Sequence, residues 1–171
     1  MFAPLADNDG PDWPLLQQGA VTLFLKPEVL EATCEEFSAI GYEVARVGCR
    51  DGIGKTLHDL GAALKWTEQF GGRRPSADNF PALRDGFSSY PFGPHNRAAL
   101  AFDGFNHLVS EDQTFAIKLL NMIELSARDH LLAGCLLLGL VQTDDPDFRC
   151  SPIGCRVPAW NPAEWNERAQ E

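Results

Sequence analysis

The 171-residue chain is 44% hydrophobic and 22% charged, a balance that suits one compact domain, or one domain with a short extension, and excludes a disordered or fibrous chain. Its formal net charge of −10 argues against nucleic acid as a direct partner, since phosphate binding needs clustered Lys and Arg, and suits a basic protein partner.

The lead-in over residues 1–19 is polar and Pro-rich, and Asp7, Asp9 and Asp12 stand where a secretion signal needs positive charge followed by a long apolar run. The run AVTLFL, Ala20 to Leu25, is β-branched and apolar, as a strand covered on both faces should be. Pro27 opens a helix in which Leu30, Thr33, Cys34 and Phe37 recur at i, i+3, i+4 and i+7; acids crowd its first turns and Gly41 stops it. Tyr42 to Cys49 alternates as a second strand, the loop RDGIGK follows, and Leu57, Leu60 and Leu64 mark a second helix in TLHDLGAALKW. Thr67 to Asn79, rich in Gly, Pro, Ser and charge, predicts a surface loop. A short third helix in NFPALRDGF is expected next, capped by Asp78 or Asn79, with Pro81 at an early position.

Arg97 to Phe102 reads as a strand. Ser110 with Gln113 then forms a capping-box signature for a long helix whose buried stripe is Phe115, Leu119, Met122 and Ile123. Cys135 to Gln142 gives the last strand, followed by a coil-rich tail with Trp160 and Trp165. Strands alternating with helices predict an α/β fold: a small, mostly parallel sheet of about four strands, flanked by helices with right-handed crossovers. The domain is expected over residues 20–145, including an added N-terminal βα unit, with residues 146–171 as an extension packed on it. The longest apolar stretch, LLAGCLLLGLV, spans about a dozen residues where a bilayer needs ~20, so no membrane association is expected.

The chemistry-bearing residues are scattered. His58, His95, His107 and His130 have neither HxxxH nor HExxH spacing, so no metal site is expected, and His58 reads as an interfacial or capping residue. The fragment DGIGK with Thr56 approaches a phosphate loop, but Cys49 stands where its leading glycine belongs. There is no GxSxG elbow, dinucleotide loop or Cys-His signature, so neither a cofactor nor an enzymatic activity is expected. Cys34, Cys49, Cys135, Cys150 and Cys155 are odd in number and lack a CxxC pair, which fits the reduced cytoplasm. Cys34 and Cys135 read as core residues, and Cys150 and Cys155, either side of a Pro-Ile-Gly turn, are close enough in sequence for pairing to stay open.

The stretch from LHDLGAALKW through QFGGRRPSADNFPALRDGF resembles the barstar family, in which an L-H-x-x-L helix precedes an aromatic-Gly-x-Asn-Leu-Asp-Ala-Leu-x-Asp-Cys-Leu segment. Together with the DWPLLQQGAVTLF opening, the GYEVARV strand, LLLGLVQTDDPDF and WNPAEW, the chain is similar to an actinobacterial-type branch of that family over about residues 12 to 166. The resemblance implies a parallel sheet flanked by helices and a non-enzymatic inhibitor, or immunity protein, whose acidic helix and preceding loop block the cationic active site of a secreted ribonuclease or polymorphic toxin. Asn79, Ala82, Leu83 and Asp85 match the motif, and Phe70 with Gly71 matches its start. Phe70, Gly71, Asn79, Arg84 and Asp85 are therefore the expected partner contacts, Asp85 foremost. Three departures stand beside the match: Pro81 replaces the first motif Asp, Gly86 replaces Cys, and GRRPSA lengthens the loop. Over residues 66–97, Arg73, Arg74, Arg84 and Arg97 outnumber Glu68, Asp78 and Asp85, a net of +1. That balance keeps open an alternative, a diverged barstar-fold scaffold or regulatory binding protein without nuclease inhibition.

Overall fold

The computed structural model describes residues 10–164, so the start of the lead-in and Trp165 lie outside the described residues. A four-residue helix α1 (Trp13–Leu16) leads into strand β1 (Val21–Phe24) and helix α2 (Pro27–Ala39). Strand β2 (Glu43–Gly48) is followed by three helices, α3 (Ile53–Ala63), α4 (Trp66–Phe70) and α5 (Phe80–Ser88). Strand β3 (Arg97–Asp103), helices α6 (Phe105–Glu111) and α7 (Gln113–Leu132), strand β4 (Leu136–Gln142) and the two-residue strand β5 (Ala159–Trp160) complete the chain.

The strands form one five-stranded sheet in the order β2-β3-β4-β1-β5, every neighbouring pair parallel. Parallel strands must be joined by crossovers, and these helices cover both faces, which is why β1 and β4 are buried along their whole length. Alternation along the strands sorts the core into two halves. Val21, Leu23, Leu100, Phe102, Leu137 and Val141 join the larger half, with Leu60, Leu83, Phe87 and the apolar stripe of α7. Phe24, Ala99, Ala101, Leu138 and Leu140 face the other way and take Leu30, Cys34 and Phe37 of α2. The result is two helices, α2 and the short α1 with its buried Leu15, on one face and five on the other.

Five elements depart from the sequence expectation, the first being α1, which forms in the expected polar lead-in and buries Leu15. The loop expected over Thr67 to Asn79 begins as a helix instead: Lys65 takes a left-handed φ of 47°, the chain turns, and α4 buries Trp66, with Phe70 half-buried one turn later. Ser110 is not the cap of the long helix. It lies inside α6 and donates to the Asn106 carbonyl, while Asp112 breaks the helix and accepts from the Phe115 N–H at 2.9 Å. Helix α6, not expected at all, is drawn to the core by Phe105 and Leu108. The tail adds a fifth strand, with Thr22 opposite Ala159 and Leu23 opposite Trp160.

The tail is held by more than its strand. Glu164, 6% exposed, accepts the backbone N–H groups of Leu25 and Lys26. Those groups lie where α2 begins, so a carboxylate from the far end of the chain caps the helix and meets its positive dipole end. Among the described residues no helix is long and apolar enough to cross a membrane.

Candidate partner-binding site

Helix α5 owes its placement to its own sequence. Asn79 caps it, its Oδ1 accepting from the Ala82 N–H at 3.2 Å, and Pro81 sits in the first turn, where a missing N–H breaks no bond. Leu83 and Phe87 are fully buried, so Arg84 and Asp85 between them point outward. Neither side chain has an ion-pair partner among the described residues. Both line a groove of about 680 Å³ between α5 and α7, walled also by Phe80, Lys118 and Met122, with the Lys118 ammonium 4.4 Å from the Phe80 ring centroid.

The other three expected contacts sit differently. Phe70 is half-buried with its ring centroid 4.3 Å from that of Trp66, and Gly71 ends α4 with its N–H on the Thr67 carbonyl. Asn79 is exposed, but its acceptor oxygen is engaged in the cap. Arg84 and Asp85 are thus brought together on one surface, whereas Phe70, Gly71 and Asn79 shape and orient the helix that carries them. Gly86 has a packing reason: a Cβ there would lie 3.1 Å from Trp66 Cζ3 and 3.3 Å from Leu64 Cδ1. The Trp66–Phe70 pair fills the volume a larger residue at 86 would need.

Sequence reasoning missed a polar cluster where the strands end. Arg50, just after β2, donates from Nε to Asp103 at 3.0 Å and from Nη1 to Asp144 at 2.7 Å, joining the ends of three strands. Gln142 donates to the Leu25 carbonyl and to Asp144, and accepts from the Gly104 N–H at 2.8 Å. Hydrogen bonds from Arg50, then from Gln142, hold the Asp144 carboxyl well below the ordinary carboxylate range. His107 Nε2 lies 3.6 Å from Asp144. The carboxyl ends of β1 and β4 are the place where crossovers diverge to opposite faces, the usual ligand crevice of a parallel sheet. Here Gln142 and Asp144 stand at that position, Gln142 bonded to the Leu25 carbonyl, and the Arg50 guanidinium bonds both. The signal lay in the charged residue ending each strand, RDG, FDG and VQTDD, and it becomes readable only once the strands are known to be parallel neighbours.

The DGIGK segment is likewise satisfied from within. The Ile53 N–H at the start of α3 donates to Glu111 at 2.8 Å, Lys55 pairs with Asp59, and the Thr56 hydroxyl donates to the Gly48 and Gly52 carbonyls. Burial raises the Asp59 carboxyl, but the Lys55 ammonium and the Gly48 N–H outweigh it and lower its pKa overall. The two side chains a nucleotide would need most, Lys55 and Thr56, are thus already engaged within the chain. Cys34 and Cys49 are buried thiols pushed up by desolvation to about 11 and about 12, and Cys150 and Cys155 are both free. Cys135 is half-buried at the start of β4, short of the full burial expected of it. No group of three or more His, Cys, Asp or Glu among the described residues is placed to hold a metal ion. Comparison of the chain with known protein families, curated proteins and solved structures finds no match.

Proposed function

We propose that the chain is a proteinaceous inhibitor, an immunity protein of barstar type, that binds and blocks the active site of a cognate secreted ribonuclease or related toxin through the loop and helix at residues 70–87. One observation carries this reading: α5 holds Arg84 and Asp85 outward on a backbone fixed by a side-chain cap and by two fully buried anchors, with neither charge consumed inside the described chain. A rigid carboxylate of that kind matches the cations with which a ribonuclease holds phosphate, and its field speeds encounter. The partner is then basic where it meets Asp85, and the inhibitor acts in the cytoplasm, where free thiols persist. What supports a non-enzymatic role is that the polar side chains at the strand ends, and Lys55 and Thr56 of the DGIGK segment, bond to one another or to the backbone.

The scaffold reading draws on Pro81 and on Arg73, Arg74 and Arg84, which leave Asp85 the lone acid on the outer face of α5. An RNA-cleavage assay separates the two. Titration of the chain against secreted ribonucleases should abolish cleavage stoichiometrically for the cognate enzyme, and Asp85→Ala should weaken inhibition by about 2 kcal/mol, the scale of a central interface residue. Inhibition unchanged by Asp85→Ala removes Asp85 as the anchor, and intact cleavage across guanyl-specific and toxin-type nucleases favours the scaffold.

A further inference from the structure

A second groove lies on the other side of Trp66, between α3 and the loop that leads into α5, with a volume of about 540 Å³. One face of α3 floors it at helical spacing, Gly54 and Gly61 keeping the floor low on either side of His58. The loop closes over it because Pro75 packs on Gly61, where a Cβ would lie 3.2 Å from the Pro75 ring. The GRRPSA insertion is therefore a wall, built against a glycine that admits it.

Arg73 and Arg74 stand on that wall. Both are exposed, and neither has a hydrogen bond or ion pair among the described residues. No Asp or Glu lines the groove, although the chain as a whole carries −10. Trp66 also lines it, 5% exposed, and its indole Nε1 is buried without an acceptor. A concave site offering two free guanidiniums, an imidazole and no carboxylate is complementary to anions. The guanidinium fork fits a carboxylate at two points.

We infer that this groove is the docking site for a carboxylate-bearing segment of the partner protein, so that the partner is bipolar: a cation opposite Asp85 and an acidic segment opposite Arg73 and Arg74. This rests on the inhibitor reading for the identity of the partner, though the groove's preference for carboxylates is a property of the chain alone. Specificity follows from the arrangement. A uniformly cationic ribonuclease meets repulsion at the arginine pair, whereas one with an acidic rim beside its catalytic groove is favoured at both points.

The full chain labelled with nitrogen-15 tests this by titration with an oligoglutamate peptide, with a uridine oligonucleotide of equal charge and with inorganic phosphate, at matched ionic strength. The peptide should shift the amides of Gly72, Arg73 and Arg74 and the Trp66 indole N–H. Arg73→Glu with Arg74→Glu should weaken that binding by about tenfold or more, Arg73→Gln with Arg74→Gln by less, and Asp85→Ala should leave it unchanged. Thermal melts of the variants should match the parent, since both arginines are exposed. Absence of shifts at the groove, binding unaffected by charge reversal, or oligonucleotide or phosphate binding as tight as the peptide each overturn the inference. Peptide binding without inhibition of any ribonuclease leaves the groove standing and sinks the inhibitor reading; inhibition that survives charge reversal does the opposite.

Discussion

At the scale of single residues, Gly86 is one of three departures from the motif read in the sequence, and its reason is a neighbour. Trp66 and Leu64 stand within 3.3 Å of the position a Cβ would take, and well-packed interiors do not yield that space freely. Gly86→Cys should therefore lower stability by about 1–3 kcal/mol by overcrowding, even though glycine is a poor helix former. Combining it with Trp66→Leu should restore much of the loss, as a double-mutant cycle in urea denaturation would register; additive effects would mean that the two residues do not compete for the same volume. Asp85 and the arginine pair were legible as charges in the sequence. Their freedom from internal partners was not, because pairing depends on which elements meet.

At the scale of elements, β5 and the residues after it show how a coil-rich tail becomes part of the sheet. Two strand residues could not hold on their own. Glu164 supplies the anchor by accepting N–H groups at the start of α2, and the Asn161 N–H donates to the Leu23 carbonyl at 2.8 Å. Glu164→Ala should cost about 1–3 kcal/mol, because two part-buried donors lose a charged acceptor. Hydrogen exchange should then quicken at Leu25 and Lys26 and along the outer edge of β1; unchanged protection there would mean that the tail is pinned by other contacts. Helix α4 teaches the same lesson in reverse. Its Gly, Arg and Pro surroundings read as loop, yet Trp66 and Phe70 at i, i+4 are enough to fold one further turn against α5.

At the scale of the whole molecule, Arg50 ties the ends of β2, β3 and β4 into one unit through Asp103 and Asp144. Asp144 titrates below the ordinary carboxylate value, so its contribution is present above about pH 4 and fades as pH falls through the folded-state value beneath it. Being partly exposed, the cluster should contribute only about 1 kcal/mol. Asp144→Asn should thus be less stable than the parent near neutral pH, and the two unfolding curves should converge in acid; a constant gap at all pH values would show that the loss is one of packing.

The order of the first four strands and of α2, α3, α5 and α7, the parallel sheet and the β1 and β4 cores were legible in the sequence alone, because periodicity and caps act over a few neighbouring residues; the candidate contacts on α5 came from the motif resemblance. Only the tertiary structure decided that the sheet takes a fifth strand, that Glu164 caps a helix more than a hundred residues upstream, that Arg50 joins the ends of three strands, and that Pro75 and Gly61 set an arginine pair above an acid-free groove. Each of these joins residues far apart in the chain, and no local pattern encodes which distant partner a charge or a surface will meet once the helices have packed.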